Sequence, residues 1–208
     1  MTTLPPKPDF EAIEAAAHES ADRRTLILAL IGNLVYSWSN NESLFIYVLM
    51  LLLETDEASA AVVFVTLNTT RARLELIQRL AKAKLLDKAL DKELTKLIER
   101  FNECTRARNE FNHCMYFVDP RGEITHTQSI KVQEAKGRLQ WSAPRPMDDP
   151  RLTEIMTTVG ELRQLNRDIW DFLPRLQEYM ARRRSAKGSQ GRNAKPPPGT
   201  TNEPAPHS

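Results

Sequence analysis

Arg108 and His113 stand five residues apart, with Asn109 and Asn112 between them. An arginine is a fixed cation with a planar fork of donors, and a histidine moves a proton near neutral pH. Together they suit a phosphodiester, one holding charge on phosphate and the other acting as general acid or base. Arg108 also breaks a pattern. Leu94, Leu97, Phe101, Cys104, Phe111 and Met115 follow at the three-and-four spacing of an amphipathic helix, and position 108 falls on their apolar stripe. A charge there is either paired inside the protein or lines a cleft, because burying it alone costs several kcal/mol. On a helical wheel Arg108, Asn112, Asn109 and His113 fall at about 0°, 40°, 100° and 140°, so four polar side chains share one side. Two readings stay open: an Arg and a His hydrogen-bonded within a helical bundle, or a site where both meet one ligand.

Other chemistries lack their residues. There is no Gly-x-Ser-x-Gly and no P-loop, and Arg108 and His113 have no carboxylate to complete a Ser-His-Asp arrangement. His18, His126 and His207 have no second ligand at helical or strand spacing, so no metal site and no cofactor is expected. Cys104 and Cys114 would lie about 15 Å apart on one helix, beyond disulfide reach, and read as small core residues. Trp38, Trp141 and Trp170 read as packing anchors, since no basic residues interleave with them.

The elements that must carry this constellation are helices. No proline occurs between Pro8 and Pro120, and Gly32 is the only glycine before Gly122. Residues 24–35 are apolar almost all round, as in a helix at the middle of a bundle. Asn40 or Asn41 is placed to cap a second helix containing the apolar run Leu44 to Leu53. Thr55 or Asp56 starts a third, with Ala60, Phe64, Leu67, Arg71, Leu74, Gln78 and Ala81 on one stripe. A fourth starts near Asp87. Met115 to Val118 suits a strand, Asp119-Pro120-Arg121-Gly122 is turn chemistry, and a small β-hairpin is expected over about 115–140. Pro144, Pro146 and Pro150 mark a loop. A long amphipathic helix then runs from Arg151 to about Met180, its seam at 152, 155, 159, 162, 166, 169, 173, 176 and 180 broken only by Asn166, with Pro174 expected to kink or divide it.

Composition sets the wider frame. The 208 residues, 41% hydrophobic and 27% charged, fit one globular domain with appendages and exclude a wholly disordered or collagenous chain. The longest apolar run has ten residues where a membrane span needs about 20, and no signal segment opens the chain, so no membrane contact and a cytoplasmic location are expected. Residues 182–208 carry six basic side chains against Glu203 and no Ile, Leu, Val or Phe. They are expected to be a disordered basic tail, either plainly solvated or touching RNA or an acidic partner. The chain's net +2 leaves −3 for residues 1–181 once the tail's +5 is set aside. Residues 1–21 are expected to form an N-terminal arm with a short helix, and 22–181 an all-α domain of about five helices.

The segment Arg108-Asn109-Glu110-Phe111-Asn112-His113 lies late in a helix of an all-helical domain and precedes a short hairpin with a glycine turn. It resembles the Arg-x(4 to 6)-His motif of the HEPN superfamily, in the form with Asn directly after the Arg. Trp38 and Glu42, four apart upstream, and residues 101–125 resemble the layout of bacterial members. The likeness in architecture covers about 22–180; only the six-residue motif is specific.

The resemblance implies a metal-independent endoribonuclease, acting in bacterial defence or as a toxin, in which the ribose 2′-oxygen attacks the adjacent phosphate to leave a 2′,3′-cyclic phosphate. It implies a homodimer whose motif helices face each other across a composite cleft, and an antitoxin or regulatory partner. Carried over, His113 would be general acid or base, Arg108 would stabilise the phosphorane-like charge and Asn109 would orient the site, with Asn112 and Glu42 in support. Glu42 could pair with Arg108, although a cap or surface carboxylate is its plainer reading. The alternative class is a non-catalytic helical module binding RNA, a nucleotide or a partner protein; the net −3 favours it, since nucleases usually show a basic footprint.

Overall fold

The structure, a computed structural model, describes residues 23–119, 123–130, 132–135 and 138–192. The elements run α1 (Arg23–Leu53), α2 (Glu57–Thr66), α3 (Thr70–Lys84), α4 (Lys88–Asn112), β1 (Cys114–Val118), β2 (Ile124–Ser129), β3 (Val132–Ala135), β4 (Arg138–Trp141), β5 (Arg145–Pro146) and α5 (Asp149–Arg192). The fold is an all-α bundle with a small β insertion. The expected N-terminal arm lies outside the described residues.

Four of the helices start on a side-chain oxygen that takes up an orphan N–H of the first turn. Asp56 accepts from Ser59 at 2.9 Å, Thr69 from Ala72 at 3.1 Å, Asp87 from Ala89 at 2.8 Å and Asp148 from Arg151 at 3.0 Å. α1 stops at Glu54, whose φ of 58° is left-handed; its N–H donates to the Leu51 carbonyl and that of Thr55 to Met50, each at 3.2 Å. This is the Schellman arrangement, with glutamate where glycine is usual.

α1 is one helix through Asn40 and Asn41, not two helices meeting there. Asn41 is no cap: it is buried, and its amide donates to the carbonyls of Ser37 at 2.8 Å and Leu162 of α5 at 2.9 Å. A tertiary hydrogen bond overrides the local preference of asparagine for helix ends. The first half of α1 is not central either, since Leu28 and Tyr36 are exposed.

The expected third helix is two, α2 and α3, broken over 67–69. Arg73 holds the break: its Nε donates to the Phe64 carbonyl at 3.0 Å and the Leu67 carbonyl at 2.9 Å, the free acceptors at the end of α2, and its guanidinium lies 4.8 Å from the Phe64 ring centre. Arg71 therefore points to solvent, and the buried face of α3 is Leu74, Ile77 and Ala81.

α5 follows the expected seam except at Asn166, which is only half-buried; Leu165 is buried beside it. The helix passes Pro174 undivided, with Pro174 on its exposed side, and continues to Arg192, past the expected tail boundary at 182. The rest of that tail lies outside the described residues. α1 packs along α5, and Phe45, Phe101, Phe172, Leu49 and Ile98 fill the centre. No helix among the described residues is long and apolar enough to cross a membrane.

The β insertion is larger than one hairpin. β1 and β2 pair antiparallel, Cys114 opposite Ser129 through Phe117 opposite His126, with a bulge at Phe117/Val118. β5, in the stretch expected as loop, adds to the other side of β2, and β3 with β4 makes a separate hairpin.

Candidate functional site

Asp87 starts α4 and the apolar positions Leu94, Leu97, Phe101, Cys104 and Phe111 seat it on the bundle. That seating fixes where position 108 must go: onto α1. The Arg108 guanidinium carbon lies 3.3 Å from the centre of the Trp38 ring. Trp38 is itself locked, nearly parallel to Phe101 at 5.6 Å, with its indole N–H donating to the Thr105 hydroxyl at 2.8 Å. Arg108 Nη1 donates to the Asn109 side-chain oxygen at 2.8 Å, and its Nε is buried with no hydrogen-bond partner. No carboxylate among the described residues forms an ion pair with it. Burial pulls its pKa below the usual arginine value, opposed by the charge of Glu42.

Glu42 is neither Arg108's partner nor a surface or capping carboxylate. It is largely buried, accepts from the Thr70 hydroxyl at 2.6 Å and pairs with Arg73 at 3.0 Å. The separate helix α3, which the sequence does not announce, brings both partners to it. Glu42 thus acts on Arg108 through its field and not through contact.

The four polar side chains of the motif are not equally accessible. Arg108 is half-buried while Asn109, Asn112 and His113 are exposed. α4 ends at Asn112, and His113 caps it with φ −124° and ψ 39°, its N–H donating to the Asn109 carbonyl at 3.1 Å. An angle counted along an ideal helix does not reach past that end. Met115, expected to continue the stripe, lies in β1 and is exposed. The sheet fixes the motif's end, because the His113 carbonyl accepts from Ile130 N–H at 3.3 Å. His126 is exposed on β2. Cys104 is buried, and desolvation pushes its thiol up to about 11, as for a core thiol; Cys114 is half-buried, and burial raises its thiol as well.

A second charged cluster lies on the other flank of the end of α4 and was not expected from the sequence. Arg151 is buried, its guanidinium 4.4 Å from the Phe111 ring centre, bonded to Glu110 at 2.5 Å and to Glu154. Arg145 of β5 reaches the same carboxylates at 2.9 and 3.1 Å. The only sequence trace of it is the three-residue spacing of Arg151 and Glu154. These four groups line a groove of about 740 Å³ with Thr153 and Thr157. Two cations and two anions neutralise each other there. Arg108 differs: it is an anchored, half-buried guanidinium that no carboxylate among the described residues contacts, with an exposed imidazole a turn and a half along the chain, which is the equipment to receive an anion.

Compared with models of protein families, with curated proteins and with solved structures, the chain matches none of them.

Proposed function

We propose that the C-terminal end of α4 is an RNA phosphate site and that the protein is a metal-independent endoribonuclease of HEPN type, serving bacterial defence or acting as a toxin. The observation that carries this reading is Arg108, a cation held in place by Trp38 and Asn109 and contacted by no carboxylate among the described residues. A charge of this kind costs stability unless an anion arrives to offset it. In the reaction, the 2′-oxygen of one ribose attacks its 3′-phosphorus as the P–O5′ bond breaks, giving a 2′,3′-cyclic phosphate and a free 5′-hydroxyl. His113 makes one of the two proton transfers, from the 2′-hydroxyl or to the leaving 5′-oxygen, and water makes the other. Arg108 faces the charge that grows on the phosphoryl oxygens. Asn109, bonded to Arg108, orients it.

A second reading is favoured by one observation: Arg108 bonds to Asn109 and not to His113, and the imidazole stands exposed. In that reading the same surface binds RNA, a nucleotide or a partner protein without cutting. One experiment separates the two: incubation of a mixed RNA pool with the protein in EDTA, beside Arg108→Ala and His113→Ala at matched circular dichroism. The endoribonuclease reading expects His113→Ala to cut about 10²- to 10⁴-fold more slowly, the usual weight of a general acid or base, and Arg108→Ala to lose cleavage also. Cleavage that survives both changes sinks it. Salt-sensitive RNA binding without cleavage, weakened by Arg108→Ala, establishes the second reading.

A further inference from the structure

The small sheet has two edges of opposite character. β5 is two residues long and carries Arg145 and Pro146, a charge and a residue without an N–H, both of which discourage further strand pairing. β1 has neither. Its five residues, Cys114 to Val118, include no charge and no proline, and Met115, Tyr116, Phe117 and Val118 are 37–60% exposed. Four consecutive exposed apolar residues on an edge strand are uncommon, because such an edge is a template for another strand.

The backbone of β1 is set for that pairing. Ile130 N–H donates to the His113 carbonyl, so in the antiparallel alternation residues 113, 115 and 117 turn their backbone groups toward β2. Cys114, Tyr116 and Val118 turn theirs to the other edge, which no strand among the described residues covers. A two-fold axis at Tyr116 would set Tyr116 against its own copy, Met115 against Phe117 and Cys114 against Val118. The same register sets His113 against Asp119, whose carboxylate also accepts from the Glu123 N–H at 2.9 Å, so a basic side chain meets an acidic one at each end of the strand. Methionine against phenylalanine is a favourable sulfur–aromatic contact. No like charges meet anywhere along the five residues.

We propose that β1 pairs antiparallel with β1 of a second copy of this chain about a two-fold axis at Tyr116, continuing the three-stranded sheet across the dimer. This dimer is distinct from one in which motif helices face each other: each His113 is three residues from the axis at about 3.4 Å per residue, which puts the two about 20 Å apart. It stands whether or not the protein cuts RNA.

The test uses the full chain in light scattering and in cross-linking. Wild type is expected at twice the chain mass at micromolar concentration, and Phe117→Lys, at an exposed side chain, at the chain mass with unchanged circular dichroism. Val118→Cys is expected to form a disulfide-linked dimer with Cys114 of the second copy on mild oxidation, and adding Cys114→Ser is expected to abolish the link. A monomeric wild type overturns the proposal and leaves the edge to a different protein. A dimer untouched by Phe117→Lys, or a Val118→Cys link that survives Cys114→Ser, overturns the strand pairing or its register.

Discussion

Arg108 and Arg151 are both arginines over aromatic rings near one helix end, yet their surroundings assign them different work. Arg151 is closed by Glu110 and Glu154 and ties α4 to the start of α5. Arg108 gains from Trp38, a cation–π contact of about 1 kcal/mol, and loses by burying an unpartnered Nε, a penalty of similar size. Arg108→Met is therefore expected to shift stability by less than about 1 kcal/mol in urea unfolding while removing the site's charge. A loss above about 3 kcal/mol would mark Arg108 as a structural pillar instead. The type and place of Arg108 stand out in the sequence because an apolar stripe makes a charge conspicuous. Its lack of a carboxylate could not be read there, because Glu42 is drawn away by Arg73 and Thr70 on a helix that has no boundary signal stronger than Thr69.

The elements are held by caps and by contacts between side chains and free carbonyls. Asp87, expected to open the motif helix, does so; Asp56 does the same for α2. The end of α1 is the strained one, since Glu54 occupies a left-handed conformation that costs a residue with a side chain about 1 kcal/mol. Its carboxylate pairs with Lys84 at 3.5 Å and Arg184 at 3.2 Å, partly exposed pairs of modest worth. Glu54→Gly is expected to raise stability by about 0.5 kcal/mol, seen as a higher urea midpoint at unchanged slope. A fall of more than about 1 kcal/mol would mean that the two ion pairs outweigh the backbone relief.

α1 touches α2, α3, α4 and α5, so the bundle has one core and no place to come apart in stages. Phe101 sits at its centre, fully buried between Trp38 and Phe45. Phe101→Ala is expected to cost about 3–5 kcal/mol, the usual loss for a buried phenylalanine. Thermal unfolding of the wild type is expected to show one transition, at the same temperature by far-UV circular dichroism and by tryptophan fluorescence. Two separated transitions would divide the bundle and remove α1 as its common member.

Local structure was legible in the sequence: the absence of proline between Pro8 and Pro120 with Gly32 the only glycine there, the apolar periodicities of α4 and α5, the aspartates that open α2 and α4, and the strand β1. Each depends on residues within a turn or two of one another, where backbone sterics and side-chain spacing act directly. What only the tertiary structure decided are the matters that depend on a partner far along the chain. Leu162 keeps α1 whole by accepting from Asn41, Arg73 breaks the third helix by binding carbonyls left free behind it, and α3 takes Glu42 away from Arg108. The same holds for β1, which reads as a strand of a hairpin but whose place at the edge of the sheet among the described residues was set by the strand order. A side chain's neighbours in space are chosen by the free energy of the whole packing, and sequence spacing carries little of that information.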